Sequence, residues 1–254
     1  MARQPLGALI VHGFTSSVDC VSPMQAPIEA LGLPIRVPIL RGHGAESPEA
    51  LRGVVWQDWV DDAEAALQDL LTEVECAMII GHSMGALATL TLAANHAGED
   101  ALDSIVVVAP AVQLTSPVAP GHPFSFLRPI LTLVKRRHSM PPVRADKSLE
   151  KYDTNYPWAP MSAVKELLIF SGKARERLPE IDVPVLIIQS HNDTTVAPES
   201  AEIVYEGITT PAHDKRIVWF EETEHEMFRD CEREAVVDVV VDYVRERIAV
   251  NEVA

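Results

Sequence analysis

The sequence predicts an α/β protein: a mostly parallel central sheet flanked by helices, with a small inserted, mainly helical cap. Three observations carry this. Short runs of Val, Ile and Leu alternate with longer stretches of helical periodicity. Several of the short runs are apolar throughout, as strands buried on both faces must be. Between Ala109 and Val185 the alternation stops for about 75 residues that are dense in proline. A structureless loop of that length does not fit a compact domain, so an insertion is expected.

Strands are expected at 7–11, 35–39, 77–80, 104–109, 185–189 and 216–220, and helices at 22–31, 56–74, 84–96, 198–207 and 231–249. The second helix places Trp59, Val60, Ala63, Ala66, Leu67, Leu70 and Leu71 on one face with acids between them. In the stretch without a clear strand, helices are expected near 127–135 and 163–178. The resulting division is a core of residues 1–111 and 184–254 and an insertion of residues 112–183.

Composition narrows the function classes. A chain of 254 residues, 47% hydrophobic, suits one sizeable α/β domain. No apolar run approaches the roughly 20 residues of a membrane helix, so no stable membrane insertion is expected. The first apolar run, Ala8 to Val11, is too short for a signal-peptide core, and a cytoplasmic protein is expected. The net charge of −16 repels phosphate backbones and argues against nucleic acid as a partner. Cys20, Cys76 and Cys231 are odd in number and far apart, which reads as free thiols. The chain has no H-E-x-x-H, cysteine–histidine cluster or G-x-G-x-x-G, and neither a metal nor an organic cofactor is expected.

The chemistry concentrates at Gly81-His82-Ser83-Met84-Gly85, where an expected strand runs directly into an expected helix. A one-residue junction forces Ser83 into a strained turn, and glycines on either side remove side chains that would collide. This is the G-x-S-x-G nucleophile elbow, which holds the hydroxyl out beyond the sheet. A serine needs a base to take its proton, and histidine has the right pKa. Among nine histidines, His225 follows the last strand and precedes the last helix, at the sheet edge where Ser83 emerges. Asp193 follows the strand before it and can fix the imidazole tautomer. The order Ser83, Asp193, His225 is the one this arrangement requires. An oxyanion needs two N–H donors. Met84, after the nucleophile, supplies one, and Phe14, in the turn after the first strand, supplies the other. The Phe14 ring is expected either to wall the acyl site or to pack in the core.

Together the stretches HGFTSS, Arg41-Gly-His-Gly44 with Trp56-Gln-Asp-Trp59, GHSMG, and the Asp193 and His225 loops resemble the α/β-hydrolase fold. Within it the chain is similar to bacterial carboxylesterases and monoacylglycerol lipases, from about Leu6 to about Ala249. The resemblance implies a Ser83–Asp193–His225 triad, an oxyanion hole at Phe14 and Met84, and a cap formed by the insertion. Two positions depart from the pattern: Ser16 stands where relatives carry glycine, and His82 where close bacterial monoacylglycerol lipases have an apolar residue. Arg41 and His43 are expected to tie loops together, and Lys135-Arg136-Arg137 to form a solvated turn of the cap. The expected activity is hydrolysis of neutral short- to medium-chain carboxylic esters through an acyl-enzyme on Ser83, with a small-molecule ester as partner. Amide or C–C bond hydrolysis, or ligand binding without turnover, are the alternatives that the same residues permit.

Overall fold

The structure, a computed structural model, describes residues 4–115 and 136–252. Six strands form one parallel sheet among the described residues: β1 (Gln4–Val11), β2 (Ile35–Arg36), β3 (Val74–His82), β4 (Leu102–Val108), β7 (Val185–Ser190) and β8 (Lys215–Phe220), in the order β2-β1-β3-β4-β7-β8. These are the six strands expected from the sequence. The second is shorter than expected, since Pro38 has no N–H for a ladder. The third is longer, because exposed Glu75 interrupts its apolar run without breaking its pairing with β1.

The two faces of the sheet follow the strand period of two. Leu9, Val11, Ile79, Val107 and Ile187 face one core, built with α2 (Trp56–Leu71), α3 (Met84–Asn95), α4 (Met161–Glu176) and α5 (Ser200–Gly207). Ala8, Ile10, Met78, Ile80, Val106 and Ile188 face the other, built with α1 (Gln25–Glu29) and α6 (Arg233–Asn251). A slip of one residue in any central strand would exchange these faces. Helix α3 is buried from Met84 to Ala94, as a helix apolar on every side must be. Its two threonines are satisfied locally: Thr89 and Thr91 donate to the carbonyls of Gly85 and Leu87.

Two features of the insertion differ from expectation. A two-stranded antiparallel ribbon, β5 (Arg137–Ser139) with β6 (Trp158–Pro160), lies where no strand was expected. Strands of three residues are too short to leave a periodic signal. Arg137 belongs to this ribbon, with its guanidinium 4.1 Å from the Trp158 ring and paired to Glu49, so it is more than a solvated turn residue. The helix expected near 163–178 is α4. The one expected near 127–135 lies outside the described residues.

The chain reverses its direction of travel across the sheet between β1 and β3, since β2 lies on one side of β1 and β3 on the other. The crevice beyond the carboxyl ends of those two strands is where ligands enter sheets of this kind. Here backbones approach closely. A Cβ on Gly85 would collide with the carbonyl oxygen of Val11, and one on Gly81 with Gly85 O and Thr89 Oγ1. Alanine ordinarily favours a helix over glycine by about 1 kcal/mol. Gly85→Ala is nevertheless expected to destabilise the protein by roughly 1–3 kcal/mol or more, because the obstacle is backbone that cannot move aside. Thermal melting checks this; an unchanged or raised Tm would contradict the packing described.

Candidate active site

Ser83 sits between β3 and α3 with φ 56° and ψ −113°, in left-handed backbone that a side-chain-bearing residue rarely occupies. Its N–H donates to Val108 O at 2.9 Å, which ties the elbow to β4, while its carbonyl accepts from Ala86 N–H inside the first turn of α3. Met84 is the first residue of α3, so its N–H is one of the donors that a helix N-terminus leaves without an intrahelical acceptor.

The structure brings Ser83, His225 and Asp193 into one hydrogen-bonded chain. A carboxylate only accepts, so His225 Nδ1–H donates to Asp193 Oδ2 at 2.9 Å, and the bare Nε2 accepts from Ser83 Oγ at 2.9 Å. Asp193 is held on its other side by donors alone. Its Oδ1 accepts from the Thr195 and Val196 amides at 2.9 and 2.8 Å, and its Oδ2 also accepts from Gln189 Nε2 at 3.2 Å. Burial opposes the charge on Asp193, but the facing imidazole and these donors outweigh it, and its pKa falls below the ordinary carboxylate value. For His225 burial likewise disfavours the cation, and the charge and hydrogen bond of Asp193 outweigh it, so its pKa is raised.

Phe14 and Thr15 form the facing wall. Thr15 is β-branched yet has φ 61°, a strained conformation held from two sides. Its N–H donates to His43 Nε2 at 3.2 Å, and its carbonyl accepts from Tyr156 N–H at 2.7 Å. His43 is thereby an acceptor in the neutral state, consistent with burial lowering its pKa to about 3. His12 accepts from Leu40 N–H, and burial lowers its pKa to about 4. The Phe14 ring packs edge-on against His43 and Trp59, at 6.0 and 5.8 Å between centroids, as the core-packing expectation has it, and Phe14 is among the residues that line the cavity beside Ser83. Arg41 reaches Asp58 and Asp62 on α2, and its carbonyl accepts from Trp59 Nε1–H.

The cavity over Ser83 has two characters. Leu114, Met140, Pro141, Pro142, Val143 and Leu167 form an apolar side, all of them from the inserted stretch. Asp153, Asn155 and Glu226 form a polar side whose charges are compensated. Glu226 accepts from Arg229 at 2.8 Å and from Asn155 at 3.0 Å, and Asp153 lies 3.3 Å from buried Arg144 and 3.5 Å from Arg229. Burial resists the charge on Glu226, yet the neighbouring imidazole of His82 and the Arg229 guanidinium bring its pKa down to about 2.

Sequence reasoning did not find this polar side. Its members are separated by about 70 residues, and only the adjacency of Glu226 to His225 could have drawn attention to it. Among the described residues no group of three His, Cys, Asp or Glu side chains is arranged to hold a metal ion, and no helix is long and apolar enough to cross a membrane.

Comparison with known proteins agrees with this architecture. The chain is 25% identical over 239 residues to a thermostable monoacylglycerol lipase of Bacillus sp. (strain H-257), covering 94% of this chain and 90% of that one. It is 24% identical over 237 residues to a carboxylesterase of Bacillus subtilis (strain 168), covering 93% and 91%. Among solved structures, one from work on the metagenome-derived lipolytic enzymes LipS and LipT superposes with a TM-score of 0.85 at 24% identity, over 96% of this chain and 95% of that one. The family model described as serine aminopeptidase, S33 (Hydrolase_4) matches residues 7–232, nearly the whole chain, and the protein therefore belongs to this family of α/β-hydrolases.

Proposed function

We propose that the protein is a serine carboxylic-ester hydrolase, with Ser83, His225 and Asp193 as its catalytic residues. The observation that carries this is the unbroken chain of two 2.9 Å contacts from Ser83 Oγ through the imidazole to Asp193. In the reaction Ser83 Oγ attacks the ester carbonyl carbon while its proton passes to His225 Nε2. The Phe14 and Met84 amides stabilise the oxyanion, and Asp193 stabilises the imidazolium. As the tetrahedral intermediate collapses, the C–O bond to the alcohol breaks and His225 returns the proton to the departing oxygen. Water then attacks the acyl-enzyme with His225 again as base, and the acid leaves with Ser83 restored.

Residues 112–183 act in this reading as a cap whose apolar side receives the acyl chain. The names of the lipase and carboxylesterase relatives support an ester as substrate. The charge of −16 favours a neutral one, and the proposed acyl chain is short to medium. The family description raises aminopeptidase activity as a second reading. That activity needs an uncompensated carboxylate for the substrate ammonium. Asp153 and Glu226 are each already paired with arginine, which favours the ester.

Initial rates on p-nitrophenyl esters from acetate to palmitate, beside an aminoacyl p-nitroanilide, test the proposal. Turnover should peak at short or medium esters, and faster anilide cleavage would replace the ester reading with the peptidase one. Ser83→Ala should reduce kcat by more than about 10⁴-fold while remaining folded by circular dichroism. Substantial residual turnover would remove Ser83 from the mechanism. The base must be neutral to act, and the His225 pKa is raised. The acid limb of kcat/KM should therefore fall off above the ordinary histidine value of about 6.5. A profile flat from pH 8 down to about 5 would exclude His225 as the base.

A further inference from the structure

The two polar groups of the His225 peptide are each held by a side chain that is itself anchored next to one of the imidazole's partners. On the N–H side, Glu224 Oε2 accepts from His225 N–H at 3.0 Å and from Thr194 N–H at 3.1 Å, and its Oε1 accepts from Thr194 Oγ1 at 2.6 Å. Thr194 directly follows Asp193. One carboxylate, 8% exposed, thus bridges the loop that carries the acid and the loop that carries the base. On the carbonyl side, His225 O accepts from His82 Nε2–H at 2.9 Å, as well as from Met227 N–H. His82 directly precedes Ser83 and is 2% exposed. Its tautomer follows from chemistry: a carbonyl cannot donate, so Nε2 carries the proton. Nδ1 is then a bare acceptor, and it is buried without a hydrogen-bond partner among the described residues. A buried polar atom left unsatisfied costs free energy, so an apolar side chain would be the better choice if packing alone were at stake.

We infer that Glu224 and His82 are positioning residues, which hold the His225 peptide from both sides and so set the distances from its imidazole to Asp193 and to Ser83. The inference rests on the catalytic reading above and adds to it two residues that touch no reacting atom. Its physical basis is that His225 stands in a loop without strand pairing of its own, between β8 and α6. Two contacts at hydrogen-bond length demand placement to within a few tenths of an ångström, and a misplacement of about 1 Å can cost 10²-fold in rate. Glu224, anchored on Thr194 of the neighbouring loop, and His82, at the end of β3, supply that placement. Glu224 also contributes negative charge. With Asp193 and Glu226, the latter paired to Arg229, it favours the imidazolium, while His82 stands beside the imidazole as a further titratable group. Burial and the neighbouring His225 hold the His82 pKa near 4, so it stays neutral through the pH range of an esterase assay.

The test compares matched substitutions on one p-nitrophenyl ester. Glu224→Ala removes all three bonds and should lower kcat about 10- to 100-fold with KM changed little. Glu224→Gln keeps an oxygen for the two amides and can donate to Thr194 Oγ1, so it should restore most of the lost kcat. With the charge gone, its acid limb should move to lower pH. His82→Leu should lower kcat similarly, and His82→Gln, whose amide can still donate to His225 O, should recover most of it. A merely structural role would lower Tm but leave kcat, measured well below Tm, at the wild-type value; that result in both Glu224→Ala and His82→Leu overturns the inference. Should Glu224→Ala fail to fold, Thr194→Val removes only the hydroxyl brace, and wild-type kcat there overturns the Glu224 half. Ser83→Ala separates the two levels. If it stays active, the catalytic reading has failed; if it is inactive while the other variants match wild type, only the positioning inference has.

Discussion

The close passage of backbone at the carboxyl ends of β1 and β3 is the constraint on which the rest of the structure depends. Neither Gly81 nor Gly85 has room for even one more carbon, because the start of α3 lies against β1 and against its own preceding strand. That contact leaves Ser83 no ordinary conformation, and φ 56° is the outcome. The elbow is kept in place by strong surroundings. β3 is a central strand with partners on both sides, and α3 is buried along nearly its whole length. The cost of the strained residue is thereby spread over a large core.

Around this fixed point the site is assembled from loops, and each is held by polar side chains rather than by ladder pairing. His43 accepts the Thr15 amide beside Phe14. Tyr156 of the inserted stretch donates its own amide to the Thr15 carbonyl and its hydroxyl to Gly42. Asp230 accepts from Glu224 N–H and also from the Ala145 and Asp146 amides, joining the His225 loop to the insertion. The loops above the sheet thus form one hydrogen-bonded layer. Its charged members are hydrogen-bonded or ion-paired within it, which is how so many ionisable groups stand together at low exposure.

The buried histidines divide by function through their surroundings. His12, His43 and His82 serve as hydrogen-bonding groups for backbone, and burial pushes each well below the ordinary histidine pKa. His225 is buried as well, yet a facing carboxylate reverses the direction of its shift. Equal burial therefore yields three neutral braces and one side chain suited to take up a proton. The difference is the Asp193 charge, itself stabilised by two amides and a glutamine.

The amino-acid sequence by itself determined the six strands of the sheet, the helices of the core and the chain order of Ser83, Asp193 and His225. Those features are written locally, in runs of one period or the other and in glycines beside a serine. The three side chains of the candidate site were legible because each follows a strand, and strand ends in a parallel sheet share one edge. Tertiary structure alone decided the remainder. The β5–β6 ribbon is too short to have a period. The contacts of Asp153 with Arg229 and of Asn155 with Glu226 join residues more than about 70 positions apart, and neither segment marks the other. Glu224 and His82 are adjacent in sequence to residues already singled out. Their roles come from the direction of a carboxylate and the tautomer of an imidazole, which only the folded chain fixes.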